Sequence, residues 1–320
     1  MRKFSVTSCQ FKGRQGARFE DNRFFELATG NWKLTAAGLL LCTALAGAQT
    51  SPPAQPTGFH HLHLNSTDPA AAIAWYTKTF AVTSRATVAG FDGIATEKIH
   101  LLFTRTDRAP SSALDSPIWH FGWGSPDMPG DFAMHQTNGV KFATPLSKLA
   151  QGTVFAYMNA PDGALVEINS AQSRAFVHVH LYSEHPLCAA DWYVTHLGAA
   201  RRGAAREGPS TPLGTSPCEA PYAAPSEPLA VIRSPAATVR FDDISLIIYP
   251  RQRPGALVSS AGHVVDHLAL SVADLATTVK RLEATGVKVL RGVHPFGSGQ
   301  GKAALIEGPD SIVIELVERP

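Results

Sequence analysis

The sequence predicts an α+β protein assembled from four β-α-β-β-β modules, and three observations carry that reading. First, a histidine in a short apolar segment is followed seven residues later by a residue at a helix start. This occurs four times, at His61–Asp68, His120–Asp127, His178–His185 and His267–Asp274. Second, a shift of 117 residues superposes His61, His63, Trp75 and Tyr76 on His178, His180, Trp192 and Tyr193. A shift of 147 superposes His120, Asp127 and Gly139 on His267, Asp274 and Gly286. Third, two segments end alike, Pro161-Asp162-Gly163 running into Glu167 and Pro309-Asp310-Ser311 running into Glu315. Self-similarity at a fixed period is the signature of a repeated unit.

Within a module each element has a local reason. The histidine segment is short, apolar and β-prone, so it reads as a strand. The seventh residue, usually aspartate, falls where a helix N-cap belongs. In the last module this gives a helix over Asp274–Thr285, stopped by Gly286, then strands at Val287–Leu290, Ala303–Glu307 and Ile312–Val317. The halves divide near Ser170–Phe176, which predicts a first domain over 58–170 and a second over 175–318, each of two modules. In module three, residues 201–237 are rich in Pro, Ala, Ser and Gly and read as an inserted surface loop, either a lid or a tolerated insertion.

Residues 34–48 form an uncharged apolar run after Lys33, too short to span a bilayer and suited to the core of a signal peptide. Ala46-Gly47-Ala48 has the small-residue pattern of a cleavage site, with an extended n-region ahead of it and a proline-rich linker, 49–57, after it. The expectation is an exported protein, periplasmic or secreted, with no membrane attachment after cleavage. Residues 1–48 hold seven Lys/Arg and three Asp/Glu, which leaves 21 basic and 23 acidic residues in the rest. By that balance a nucleic-acid footprint is not indicated. The expected partner is a small-molecule substrate, and the protein is expected to be a monomer or homodimer. Cys188 and Cys218 fall in the folded part and read as one disulfide or two separate thiols, and no CxxC zinc signature is present.

Glu167 and Glu315 each lie inside an apolar strand, and a buried carboxylate needs a cationic or metal partner. One strand histidine alone is more often a satisfied core or surface residue than a ligand. Four at equivalent positions beside two equivalent glutamates reverse that balance. Two-histidine-one-carboxylate sets follow, His61, His120 and Glu167 in the first half and His178, His267 and Glu315 in the second. His100 occupies the last strand of module one, where modules two and four have glutamate, so the first site can hold three histidines and one glutamate. Module three has Ser245 there, leaving an open face. Such donors suit a divalent cation: Zn, Ni, Fe(II), Mn or Co. His63 and His180 share the ligand face two residues on and read as supporting groups, acid-base groups or alternative ligands. The candidate catalytic residues are thus Glu167, Glu315, His63 and His180. Trp75-Tyr76 and Trp192-Tyr193 read as packing residues, and His135, His196 and His294 as surface ones.

The segments His61-x6-Asp68 with Trp75-Tyr76, and Ala160-Pro-Asp-Gly163 running into Glu167, resemble the vicinal oxygen chelate superfamily of glyoxalases, bleomycin and fosfomycin resistance proteins and extradiol dioxygenases. The resemblance spans residues 58–170 and 175–318. It implies modules paired into two half-open barrels, the glyoxalase/bleomycin resistance/dioxygenase fold, each enclosing a divalent metal. It also implies ligands from the first and last strands of modules: His61, His100, His120 and Glu167, then His178, Ser245, His267 and Glu315. The function it implies is glyoxalase-like lyase or isomerase chemistry on a substrate that chelates the metal through two oxygens. One alternative is Fe(II) extradiol ring cleavage centred on His178, His267 and Glu315, although Tyr157 has the tyrosine spacing of those enzymes in the other half. The other is a non-catalytic small-molecule binder.

Overall fold

Strand residues that alternate between histidine and Leu/Val/Phe put the histidines on one face of a sheet and an apolar surface, which must be buried, on the other. The computed structural model describes residues 56–112, 114–149, 152–203, 235–251 and 255–319, all within one compact unit, Ser51–Pro320. Residues 1–48, expected to be a signal peptide, most of the expected linker, Cys218 and most of the 201–237 stretch lie outside the described residues.

Four modules follow in chain order. Module one comprises β1 (Pro56–Ser66), α1 (Pro69–Thr79), β2 (Ser84–Val88), β3 (Phe91–Ala95) and β4 (His100–Arg105). Module two comprises β5 (Ile118–Gly124), α2 (Met128–Thr137), β6 (Ser147–Lys148), β7 (Val154–Asn159) and β8 (Leu165–Asn169). Module three comprises β9 (Phe176–Ser183), α3 (Pro186–Leu197), β10 (Ala200–Arg201), β11 (Ala237–Phe241) and β12 (Ile244–Pro250). Module four comprises β13 (Val265–Val272), α4 (Leu275–Ala284), β14 (Val289–Pro295), β15 (Lys302–Glu307) and β16 (Val313–Glu318). Asp68, Asp127 and Asp274 each cap a helix, accepting from the backbone N–H of Ala71, Gly130 and Thr277. His185 holds the cap position of α3 without a side-chain cap bond.

The strands form two eight-stranded sheets, ordered β14-β15-β16-β13-β1-β4-β3-β2 and β10-β11-β12-β9-β5-β8-β7-β6. In each, the first strands of two modules pair antiparallel at the centre, β1 with β13 and β5 with β9. Each first strand runs parallel to the last strand of its own module. The modules of one sheet are one and four, and those of the other two and three. The expected pairing of one with two and three with four, and with it the division into domains 58–170 and 175–318 as separate barrels, is therefore corrected. Both arrangements give each strand the same local pattern, so periodicity does not distinguish them.

Neighbouring modules in the chain are joined differently. Asp162, in the Pro-Asp-Gly turn of module two, accepts from the backbone N–H (3.1 Å) and hydroxyl (3.0 Å) of Thr67 ahead of α1. Asp310 of module four accepts from the backbone N–H of Glu184 ahead of α3, at 2.9 Å. Both aspartates adopt left-handed backbone, φ 57° and 59°, a region Asp tolerates better than most side chains. The ring of Phe80 at the end of α1 stacks on Trp123 of β5, with centroids 4.0 Å apart. One continuous core, including Leu62, Tyr76, Phe121, Phe176, Tyr193 and Leu268, runs between the two sheets, so their concave faces look away from it. Tyr76 and Tyr193 are fully buried packing residues, as expected.

The outer ends of the first sheet also meet. Ser298, between β14 and β15, donates its N–H to the Ala89 carbonyl at 2.7 Å, and Phe296 lies 5.9 Å from Phe91. Gly297 has φ 55°, and a Cβ there would lie 2.1 Å from the Ala89 oxygen, so only glycine permits this strap.

Candidate metal centres

In the first cup, formed by modules one and four, β1 and β13 place His61, His63 and His267 on the concave face and β16 adds Glu315. His61 Nε2 lies 3.4 Å and His267 Nε2 3.7 Å from Glu315 Oε2. His63 and His267 are paired across the strands, and their rings stack at 4.7 Å. In the second cup, formed by modules two and three, His120 Nε2 lies 2.8 Å from Glu167 Oε2, with His178 Nε2 at 3.6 Å and His180 Nε2 at 3.8 Å. His120 pairs with His180 and stacks on it at 4.2 Å. Potential ligand atoms lie within 4.8 Å of one another among His120, Glu167, His178 and His180, and again among His61, His63 and His267.

The observed sets are thus His61, His267 and Glu315, with His63 beside them, and His120, Glu167 and His178, with His180 beside them. They replace the expected sets His61–His120–Glu167 and His178–His267–Glu315, because the sheets exchange partners between halves. His100 pairs in register with His61 but stays half-buried near His60, 6.3 Å between rings, and does not join the cluster. Ser245 pairs with His178 and is buried. His135, expected at the surface, is buried on α2, near Asp131 and the Phe80 ring.

Several supporting residues escape a reading by periodicity. A bulge between Phe59 and His61 sets His60 beside His61, with their Nδ1 atoms 2.7 Å apart. Asp266 accepts from His267 Nδ1 at 2.7 Å, and Thr104 contacts His63 Nε2 at 2.7 Å. Asn169 donates to Glu167 Oε1 at 2.9 Å. It stands two residues after the glutamate, so the two-residue strand period was a usable signal. The bulge had none.

Burial holds most of these rings neutral, which keeps lone pairs available. It lowers His120 to about 4 and, with His100 and other charges, His60 to about 4; His63, also beside His267, falls to about 3. Burial works against charge on His267 as well, but its hydrogen bond to Asp266 and the nearby Glu315 carboxylate raise it to about 9. Glu167 is opposed by burial too, yet the neighbouring His178 and His120 hold it well below the carboxylate range. Tyr157, buried beside Glu167, is pushed well above the usual phenol value and stays protonated.

The donor chemistry fits a divalent ion. Nε2 of His61, His267 and His178 and Oε2 of Glu315 are buried without a hydrogen-bond partner, an expensive arrangement that a shared cation relieves. Each cluster borders a cavity. The first, of about 390 Å³, is lined by His63, His267, Glu315, Phe91, Arg291 and His294. The second, of about 330 Å³, is lined by Tyr157, Glu167, Asn169, His180, Ile247 and Tyr249. Both volumes suit a small molecule.

Residues 175–316 match the Glyoxalase/Bleomycin resistance protein/Dioxygenase superfamily model. No curated protein matches the chain in sequence. Among solved structures, glyoxalase I from Zea mays is similar at 16% identity and TM-score 0.62, over 82% of this chain and 92% of that one. A proposed dioxygenase from Bacillus subtilis subsp. subtilis str. 168 is similar at 15% identity and TM-score 0.56, over 83% and 86%. At these identities the likeness is one of fold.

Proposed function

We propose that this chain, whose residues 175–316 match the Glyoxalase/Bleomycin resistance protein/Dioxygenase superfamily model and whose described residues form two cups, is a divalent-metal-dependent enzyme acting on small substrates that present two neighbouring oxygens. The observation that carries this reading is the convergence of buried imidazole and carboxylate groups in both concavities, with Nε2 of His61, His267 and His178 and Oε2 of Glu315 left unpartnered. His61, His267 and Glu315 would hold one ion, and His120, Glu167 and His178 the other. A divalent ion bound there supplies Lewis acidity toward an oxygen that gains negative charge. Among the chain's own groups, Glu167 and Glu315 lie at the ligand position, so proton transfer falls to His63 in the first cup and His180 in the second. Lyase or isomerase chemistry of the glyoxalase type is the leading reading.

Ring cleavage by a dioxygenase is the second reading, and it moves to the second cup because His178 and His267 stand in different sheets. Protonated Tyr157, 4.9 Å from the His120 ring, and His180 beside a three-ligand set favour it there. A purely binding protein has no need for two such donor sets. Export and a monomeric or homodimeric state belong to the same proposal, and a disulfide at Cys188 supports an oxidising compartment.

Elemental analysis tests the core claim. Wild-type protein is expected to carry about two divalent ions per chain, with about one lost in His61→Ala/His267→Ala and the other in His120→Ala/His178→Ala. Metal-free protein after exposure to Zn, Ni, Mn, Co and Fe(II) would sink it. Oxygen uptake with catechols separates ring cleavage from lyase chemistry.

A further inference from the structure

The second cup departs from the first at the last-strand residue that pairs with the ligand histidine. Where module one has His100 paired with His61, module three has Ser245 paired with His178, buried at 4% exposure on the concave face. Arg202, just past β10, donates its backbone N–H to the carbonyl of Thr238, which lines this cavity, at 2.9 Å, and from Nη1 to Ser245 Oγ at 3.1 Å. Its neighbour Arg201 is ion-paired with Asp191, whereas Arg202 has no ion pair among the described residues. Glu167 is the one carboxylate lining this cavity, and His120 and His178 already surround it. The first cup differs, since Asp266 stands beside Glu315 there. Among the described residues, then, the guanidinium beside Ser245 has no carboxylate partner.

The walls are aromatic and apolar. Tyr157, Ile247 and Tyr249 line the cavity, and Trp119, stacked on Tyr182 at 4.7 Å, backs Tyr157 at 5.7 Å. A guanidinium fork at the rim of an aromatic cup suits a planar carboxylate attached to an apolar body. We infer that Arg202 forms a carboxylate-binding subsite of the second cup, which takes small organic acids of aromatic or apolar body. The serine leaves room beside His178, and the arginine would fix the acid group there. This inference rests on the reading of that cup as a ligand-binding centre.

Calorimetric titration with mandelate and with its neutral amide, mandelamide, tests it on wild type, Arg202→Met and Arg202→Lys. Each protein is titrated cobalt-loaded and metal-free, with cobalt content measured separately. Wild type is expected to prefer mandelate by about tenfold. Arg202→Met loses that preference with its cobalt content unchanged, and Arg202→Lys keeps part of it. If the second cup takes no cobalt but the Arg202-dependent preference persists metal-free, the subsite stands and the metal reading falls. If Arg202→Met keeps the wild-type preference, or wild type shows none in either form, the subsite is overturned.

Discussion

His60, His63 and His120 refuse a proton that they would accept in an unfolded chain, where each returns to its ordinary value of 6.5. Folded values near 4, 3 and 4 mean that stability is complete above pH 6.5 and falls as acidification drives protons onto the unfolded state. Each unit of depression is worth about 1.4 kcal/mol at most. His267 has the opposite sign. Its value near 9 adds stability that is complete below pH 6.5 and is lost as pH rises through 9. Metal-free protein should therefore be most stable close to pH 6.5, and His63→Gln should flatten the acid side. Urea denaturation at pH 5, 6.5 and 9 checks this; a midpoint rising steadily from pH 5 to 9 would contradict it. At this scale the sequence was informative: the strand histidines and both glutamates lie on concave faces. His60 and Asp266 were illegible because a bulge and a local register break put adjacent residues on one face.

Elements owe their positions to a few short-range contacts that the sequence partly announces. Aspartates at the seventh motif position signalled three helix starts, and each makes its cap bond. Strand limits were less legible. The expected Val287–Leu290 became β14, Val289–Pro295, because its register against β15 is irregular and pairing resumes at His294 and Pro295. The turn aspartates were read only as loop signals, yet each ties its module to the helix start of the module before it. Asp162→Ala removes acceptors for two Thr67 donors and adds strain at positive φ, so it should destabilise by about 1–3 kcal/mol. Asp162→Asn should cost less, since asparagine tolerates that backbone and keeps an acceptor oxygen. Equal losses in thermal melts of the two variants would remove the backbone part of this account. Gly297→Ala pushes a methyl into the Ala89 carbonyl and should release the strap. Faster amide exchange at Ser298, with exchange in the second sheet unchanged, is the expected result.

For the whole molecule, the four modules, their β-α-β-β-β order and the α+β class were all legible, because a repeat exposes itself by self-comparison. Partner choice was not. Every module offers one open edge on its first strand, and β1 would present the same apolar and polar faces to β5 as it does to β13. The contacts that decide the pairing join strands about 200 residues apart in the first sheet and about 60 apart in the second, and leave no local trace. A test follows from the exposed connection at Gln172–Ser173. Cleavage at a protease site inserted there should leave a particle of unchanged size in gel filtration that keeps both ions. Two separating halves, each with one ion, would restore the arrangement first expected.

Because each sheet draws one module from either side of that connection, the polypeptide amounts to two pseudo-subunits clasped together and tied by a tether. Neither centre can be discarded by trimming an end of the gene, and a lesion that unfolds one half disables both. The two concavities are bound to a common fate during evolution, free to diverge in lining and ligand but not to exist apart.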